Sequence, residues 1–119
     1  MVHPFAGIGI SLRSEFAAEL ATTQRRIDWL EVDAEDWAHV GGPDLKILEA
    51  HLERWALVPH SKGLSIGGPD PFDAEYLGWM RYFCRRLEAP FFSDHLAWSS
   101  VAGIHMEDLL PLPFDARLL

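Results

Sequence analysis

Apolar positions come in short unbroken runs, separated by stretches where they recur every three or four residues. The runs predict buried strands at Phe5–Leu12, at Ile27–Val32, at Trp55–Val58 ahead of Pro59-His60, and from Phe91 onward. A continuous apolar run suits a strand covered on both faces, as in a parallel sheet. The intervening stretches predict helices. Phe16 and Leu20 with nearby alanines form one stripe, with Ser14 as its N-cap and Glu15 in its first turn. Leu45, Ile47, Leu48 and Leu52 form a second, from the Gly41-Gly42-Pro43-Asp44 turn to about Arg54. Tyr76, Leu77, Met80, Phe83 and Leu87 form a third over Asp73–Leu87, and Pro90 closes the connection. This alternation predicts right-handed βαβ units and therefore an α/β fold on a parallel sheet. After Trp98 the pattern loosens. The last residues read as the start of another helix, so residues 1–119 look like one partial, truncated domain.

Composition narrows the partners. The chain has 119 residues, 49% hydrophobic, enough for one core. Its formal charge of -8 argues against a nucleic-acid backbone or an anionic membrane as main partner. The single cysteine, Cys84, excludes an intrachain disulfide and reads as a packing residue. No apolar stretch approaches the roughly 20 residues of a membrane span, and no signal peptide is evident. A cytoplasmic protein is the expectation. Gly7 and Gly9 do not make a dinucleotide fingerprint, because its third glycine would fall at Leu12.

Chemistry-bearing side chains gather where the strand runs end. The second run ends in Glu31-Val32-Asp33-Ala34-Glu35-Asp36, the third in His60, and the fourth in Asp94-His95. In parallel α/β folds that edge carries the site. His60 and His95 offer imidazole nitrogens suited to iron or zinc, although a lone histidine is more often structural. Glu31 and Asp33 share a face, since strand side chains repeat every two residues. They suit a cation or general-base work, or simply a solvated loop start, which is the reading for Asp36. Asp94 can orient His95, ligate a metal or cap a turn. Lys62 with Gly63, Ser65, Gly67 and Gly68 reads as a flexible connection or an anion-binding loop, without P-loop spacing. His3, His39, His51 and His105 lack comparable context, and His51 reads as solvent-facing on its helix.

Five segments come in the order and spacing of one family: Gly7-Ile8-Gly9-Ile10-Ser11-Leu12-Arg13, Trp29 to Trp37, His60-Ser61-Lys62-Gly63-Leu64-Ser65-Ile66-Gly67, Ser93 to Ser99, and Asp108-Leu109-Leu110-Pro111-Leu112-Pro113. The chain resembles the multinuclear non-haem iron-dependent oxidative enzymes, which include the oxidase subunit of methanobactin biosynthesis. The resemblance implies a TIM-type (β/α)8 barrel, xylose-isomerase-like, with two or three iron ions in its mouth. It implies oxygen-dependent modification of cysteine or other residues in a ribosomally made precursor peptide, presented by a partner protein. Carried onto this sequence, His60 and His95 would be iron ligands, with Glu35, at an acidic position of the mouth, a third metal ligand. Glu31 and Asp94 would be acid/base or supporting groups. Asp33 and Asp36 stand where the family often has His and Asn, and Asp94 where Glu is usual. Such barrels run to roughly 250 residues, so this chain would supply the N-terminal half. Unpaired sheet edges would then favour self-association. Two other readings stay open: a divalent-metal isomerase or hydrolase on a similar barrel, and a non-catalytic interaction module.

Overall fold

The computed structural model describes residues 6–38 and 41–118. The elements, in chain order, are β1 (Gly9–Leu12), α1 (Ala17–Thr22), β2 (Trp29–Asp33), α2 (Ala34–Trp37), α3 (Gly42–Leu52), β3 (Ala56–Ser61), α4 (Ala74–Arg86), β4 (Ser93–Asp94), β5 (Ala97–Val101) and β6 (Ile104–Pro111). Strands β1 to β4 form one parallel sheet in sequential order. The expected α/β architecture of βα units is therefore present. Sequential parallel order is also what a barrel wall requires.

Register sorts the side chains onto two faces. Ser11 pairs with Glu31, Asp33 with His60, and His60 with Ser93, so these residues share the front face. Leu12, Leu30, Val32, Leu57 and Ser61 alternate onto the rear, with Asp94 paired to Ser61. The rear face carries the core, where strand leucines and valines meet Leu20, Leu48, Met80, Phe83 and Leu87 from the helices. On the front, a Cβ on Gly9 would strike the Trp29 ring at 2.3 Å, so only glycine lets the indole lie there.

Local chemistry explains the helix ends. Asp73 caps α4 by accepting from the Glu75 and Tyr76 amides. At its other end Ala89 N–H reaches Cys84 C=O at 2.9 Å and Glu88 adopts φ 53°, a Schellman turn without its usual glycine. Arg54 donates to the carbonyls of Leu20, Ala21 and Thr23 at the end of α1.

Several expectations need correction. Ser14 opens a short 3₁₀ turn (Ser14–Phe16) and makes no cap, and Arg13 in the N-cap place has no side-chain bond. Strand β4 is only two residues long, so Phe91 and Phe92, expected to open it, lie ahead of the paired segment. His51 is not solvent-facing. It is 2% exposed, with Nδ1 2.6 Å from Ile47 O and Nε2 3.0 Å from Ala17 O, tying α3 to the start of α1. After Trp98 the chain makes the β5–β6 antiparallel hairpin, and only Ala116–Leu118 takes a 3₁₀ turn. Its two-residue connection, Ala102-Gly103, has both φ angles positive, and Asp70 accepts both of their amides. Phe5, His3 and His39 lie outside the described residues. Cys84 packs partly buried against the core, and burial pushes its thiol pKa up. No helix of the described residues is long and apolar enough to cross a membrane.

Candidate functional site

The C-terminal ends of β1 to β4 build a front-face group around His60. Its Nδ1 lies 2.8 Å from Ser93 Oγ and 3.9 Å from Glu31 Oε2. Its Nε2 lies 3.2 Å from His95 Nδ1, with the two rings edge to face at 4.7 Å between centroids. Glu31 is steadied by a 3.0 Å hydrogen bond from Ser11 Oγ. Asp33 accepts from the Asp36 amide, capping α2, and pairs with the Lys62 ammonium. That hydrogen bond, foremost, holds the Lys62 pKa above its usual value. Of these, Ser11, Glu31, Asp33, His60 and Lys62 border an open cleft of about 530 Å³ that also reaches Arg13 and Asp44.

The rear face holds a separate polar network beneath the β3–α4 loop. Ser61 Oγ donates to Asp94 Oδ2 at 2.5 Å, and the Tyr76 hydroxyl donates to Glu35 Oε1 at 2.5 Å. The two hydroxyl oxygens are themselves 2.5 Å apart. Backbone amides complete the cradle: Lys62 and Gly63 donate to Glu35 Oε1, and Leu64 donates to Asp94 Oδ2. The loop does bind anions, and they are the protein's own carboxylates. Burial, followed by the neighbouring Glu35 carboxylate, pushes the Tyr76 phenol well above the ordinary tyrosine range. One oxygen of each acid, Glu35 Oε2 and Asp94 Oδ1, is buried without a hydrogen-bond partner among the described residues.

The predicted site residues thus divide. Glu31, His60 and His95 come together on the front. Asp94 and Glu35 meet each other through Ser61 and Tyr76 on the rear. The two histidines fit a shared metal ion in one respect. Two ligands bonded at about 2.1 Å and roughly 100° apart sit about 3.2 Å from each other, and 3.2 Å is the observed nitrogen separation. With its proton on Nδ1 and donated to Ser93 Oγ, His60 leaves Nε2 free to ligate. The remaining ligands are not gathered. Among the described residues no three His, Cys, Asp or Glu side chains are arranged to hold a metal ion.

Sequence reasoning missed Ser93, Ser61 and Tyr76. Ser93 and Ser61 follow from parity once the β3–β4 register is known, but no sequence pattern fixes that register across a two-residue strand. Tyr76 sat in plain view on the apolar stripe of α4, and its hydroxyl was the overlooked signal.

Comparison with known proteins matches residues 7–119 to a family model described as RiPP precursor modification enzyme MbnB/TglH/ChrH, RiPP denoting a ribosomally synthesised, post-translationally modified peptide. A UPF0276 protein of Acaryochloris marina is 38% identical over 113 residues, covering 95% of this chain and 41% of the relative. A UPF0276 protein of Acinetobacter baylyi is 36% identical over 107 residues, 90% of this chain and 37% of the relative. One from an Anaeromyxobacter species is 35% identical, over 95% of this chain and 40% of the relative. The chain spans about two fifths of the length of these curated relatives.

Proposed function

The chain belongs to the MbnB/TglH/ChrH family of RiPP precursor modification enzymes, and from that premise we propose that it carries part of the metal centre of an iron-dependent oxidase acting on a precursor peptide. The observation that carries this reading is the convergence of His60 Nε2 and His95 Nδ1 at 3.2 Å, at the C-terminal end of a parallel sheet. Iron, when bound, supplies the redox chemistry with molecular oxygen.

The chain's own residues do the rest. His60 and His95 contribute two imidazole nitrogens. Ser93 holds the far nitrogen of His60 and so orients the ring, accepting the Nδ1 proton when Nε2 ligates. Glu31, held by Ser11 and lining the open cleft, stands beside His60 as the acid/base group. Glu35 and Asp94 brace the loop and the β3 and β4 ends from behind. The barrel reading extends the four sequential strands into the first half of a (β/α)8 wall. Further ligands then come from the part of the enzyme that the relatives carry beyond the matched two fifths. The substrate is a peptide, with cysteine as the residue modified, brought by a presenting partner protein in the cytoplasm.

The test is metal content of the anaerobically purified chain beside His60→Ala and His95→Ala. Iron bound by the parent chain and lost in both variants is the expected result. Zinc or manganese in place of iron moves the assignment to a redox-inert isomerase or hydrolase. A folded chain that takes up no metal overturns the reading for this chain.

A further inference from the structure

A second cleft, of about 480 Å³, opens on the other side of the loop, where α2 and the β3–α4 loop face the β5–β6 hairpin. We propose that it binds a cationic N–H donor of a peptide, a lysine ammonium or an arginine guanidinium, against Glu35 Oε2 and Ser99 Oγ. The proposal rests on the peptide-substrate reading above and adds a recognition element to it.

Two residues that line this cleft each carry a buried polar atom with no hydrogen-bond partner among the described residues. Ser99 is 8% exposed and lines the cleft, and its hydroxyl has no hydrogen-bond partner among the described residues. Its amide is already used, donating to Ser65 Oγ at 2.9 Å. Glu35 also lines the cleft. Its Oε1 is saturated by Lys62 N–H, Gly63 N–H and the Tyr76 hydroxyl, while Oε2 has no partner among the described residues. Buried acceptors left unmade are costly, so a donor is what completes this arrangement. A carboxylate oxygen accepts only, and a hydroxyl can accept, so the complementary group is rich in N–H and positive.

Charge agrees. Glu35, Glu107 and Asp108 line the cleft together with Lys62 and His105. The Lys62 ammonium is already paired with Asp33, so the three acids outweigh the lining cations. Glu107 sits at φ 55° within β6, a left-handed conformation unusual for a residue of its size, on a strand whose pairing with β5 shifts register between Trp98 and Ser100. A metal ion is a poorer match, because no three ligating side chains are gathered among the described residues. A small donor cation needs only the two acceptors.

The experiment is an NMR titration of the ¹⁵N-labelled, metal-free chain. The probes are N-acetyl-lysine amide and N-acetyl-arginine amide, with N-acetyl-norleucine amide as the neutral control. The Gly63, Ser99 and Leu109 amides are the reporters. Saturable shifts with a cationic probe and none with norleucine are expected, and the tighter of the two cations names the side chain preferred. Ser99→Ala weakens binding about fivefold and Glu35→Gln about tenfold or more. Because Glu35 also holds the loop, Glu107→Gln serves as a second charge variant that leaves that cradle intact, and a several-fold weakening is expected. Equal shifts with norleucine, no shift at millimolar probe, or displacement of the probe by magnesium at constant ionic strength overturns the proposal. The titration needs neither metal nor turnover, so its failure leaves the iron reading standing, and failure of iron binding leaves this result standing.

Discussion

Replacing Tyr76 by phenylalanine removes one oxygen and leaves the ring in place, edge to face with Trp79 at 4.7 Å. That oxygen makes three contacts, at 2.5 Å to Glu35, 2.5 Å to Ser61 and 3.2 Å to the Gly63 amide. A hydrogen bond to a charged group contributes about 1.5–3 kcal/mol and a neutral one about 0.5–1.5 kcal/mol, and neighbours sharing one atom do not add fully. The expected loss is therefore about 2–4 kcal/mol. Unfolding entropy near 2.1 cal/mol/K per residue gives about 0.25 kcal/mol/K for the 119-residue chain. Tm should fall by about 8–16 °C. Urea melts followed by circular dichroism, at matched protein concentration, measure the free energy directly. Tyr82→Phe is the control, since Tyr82 is 65% exposed, and it should change nothing measurable. A Tyr76→Phe protein within about 0.5 kcal/mol of the parent would mean that the hydroxyl chain contributes nothing net, and the account of the rear face would be wrong.

The same phenol gives a pH prediction. Its folded pKa is raised, chiefly by burial, so between about pH 10 and the folded value the unfolded chain has lost a proton that the folded chain keeps. Stability must then fall as pH rises through that window. Lys62, also raised, acts in the same direction, so the Tyr76 part is the difference in slope between parent and Tyr76→Phe melts. His51→Ala should cost about 2–4 kcal/mol in urea melts, because it empties a buried site and strips the Ile47 and Ala17 carbonyls of their ring contacts. Glu88→Gly should stabilise the chain by about 0.5–1 kcal/mol, visible as a higher urea midpoint, by relieving a side chain held at φ 53°.

The parallel sheet was legible because Leu30, Val32 and Leu57 sit in runs that only a covered strand explains, and α4 because Tyr76, Met80, Phe83 and Leu87 keep helical spacing. The strand-end location of Glu31, His60 and His95 followed from the same runs. Parity did not. Asp94 and His95 are adjacent in sequence, yet Asp94 belongs to the rear network and His95 to the front pair, a split decided by two residues of β3–β4 pairing. Glu35 was expected at the mouth from the family resemblance, but α2 carries its carboxylate behind the sheet to Tyr76. The hairpin went unseen because Ala102-Gly103 is a weak turn signal, made workable by Asp70, which lies 32 residues before Ala102. His51 misled because a polar residue on a helix usually faces water, and only the α1 carbonyl across from it says otherwise.

The alternation of His60 with Ser61, and of Ser93 with Asp94, also bears on how such a site can change over time. Front-face positions meet the open cleft and few rigid neighbours, so one ligating or acidic group can be exchanged for another there without rebuilding the scaffold. Rear-face positions are locked to α2, α4 and the loop amides, where a single exchange disturbs all three at once. An insertion of one residue in β3 would swap the two sets and destroy both. Variation in chemistry is thus channelled into every second residue of the strand ends, and the order of the chain itself separates what can drift from what must stay.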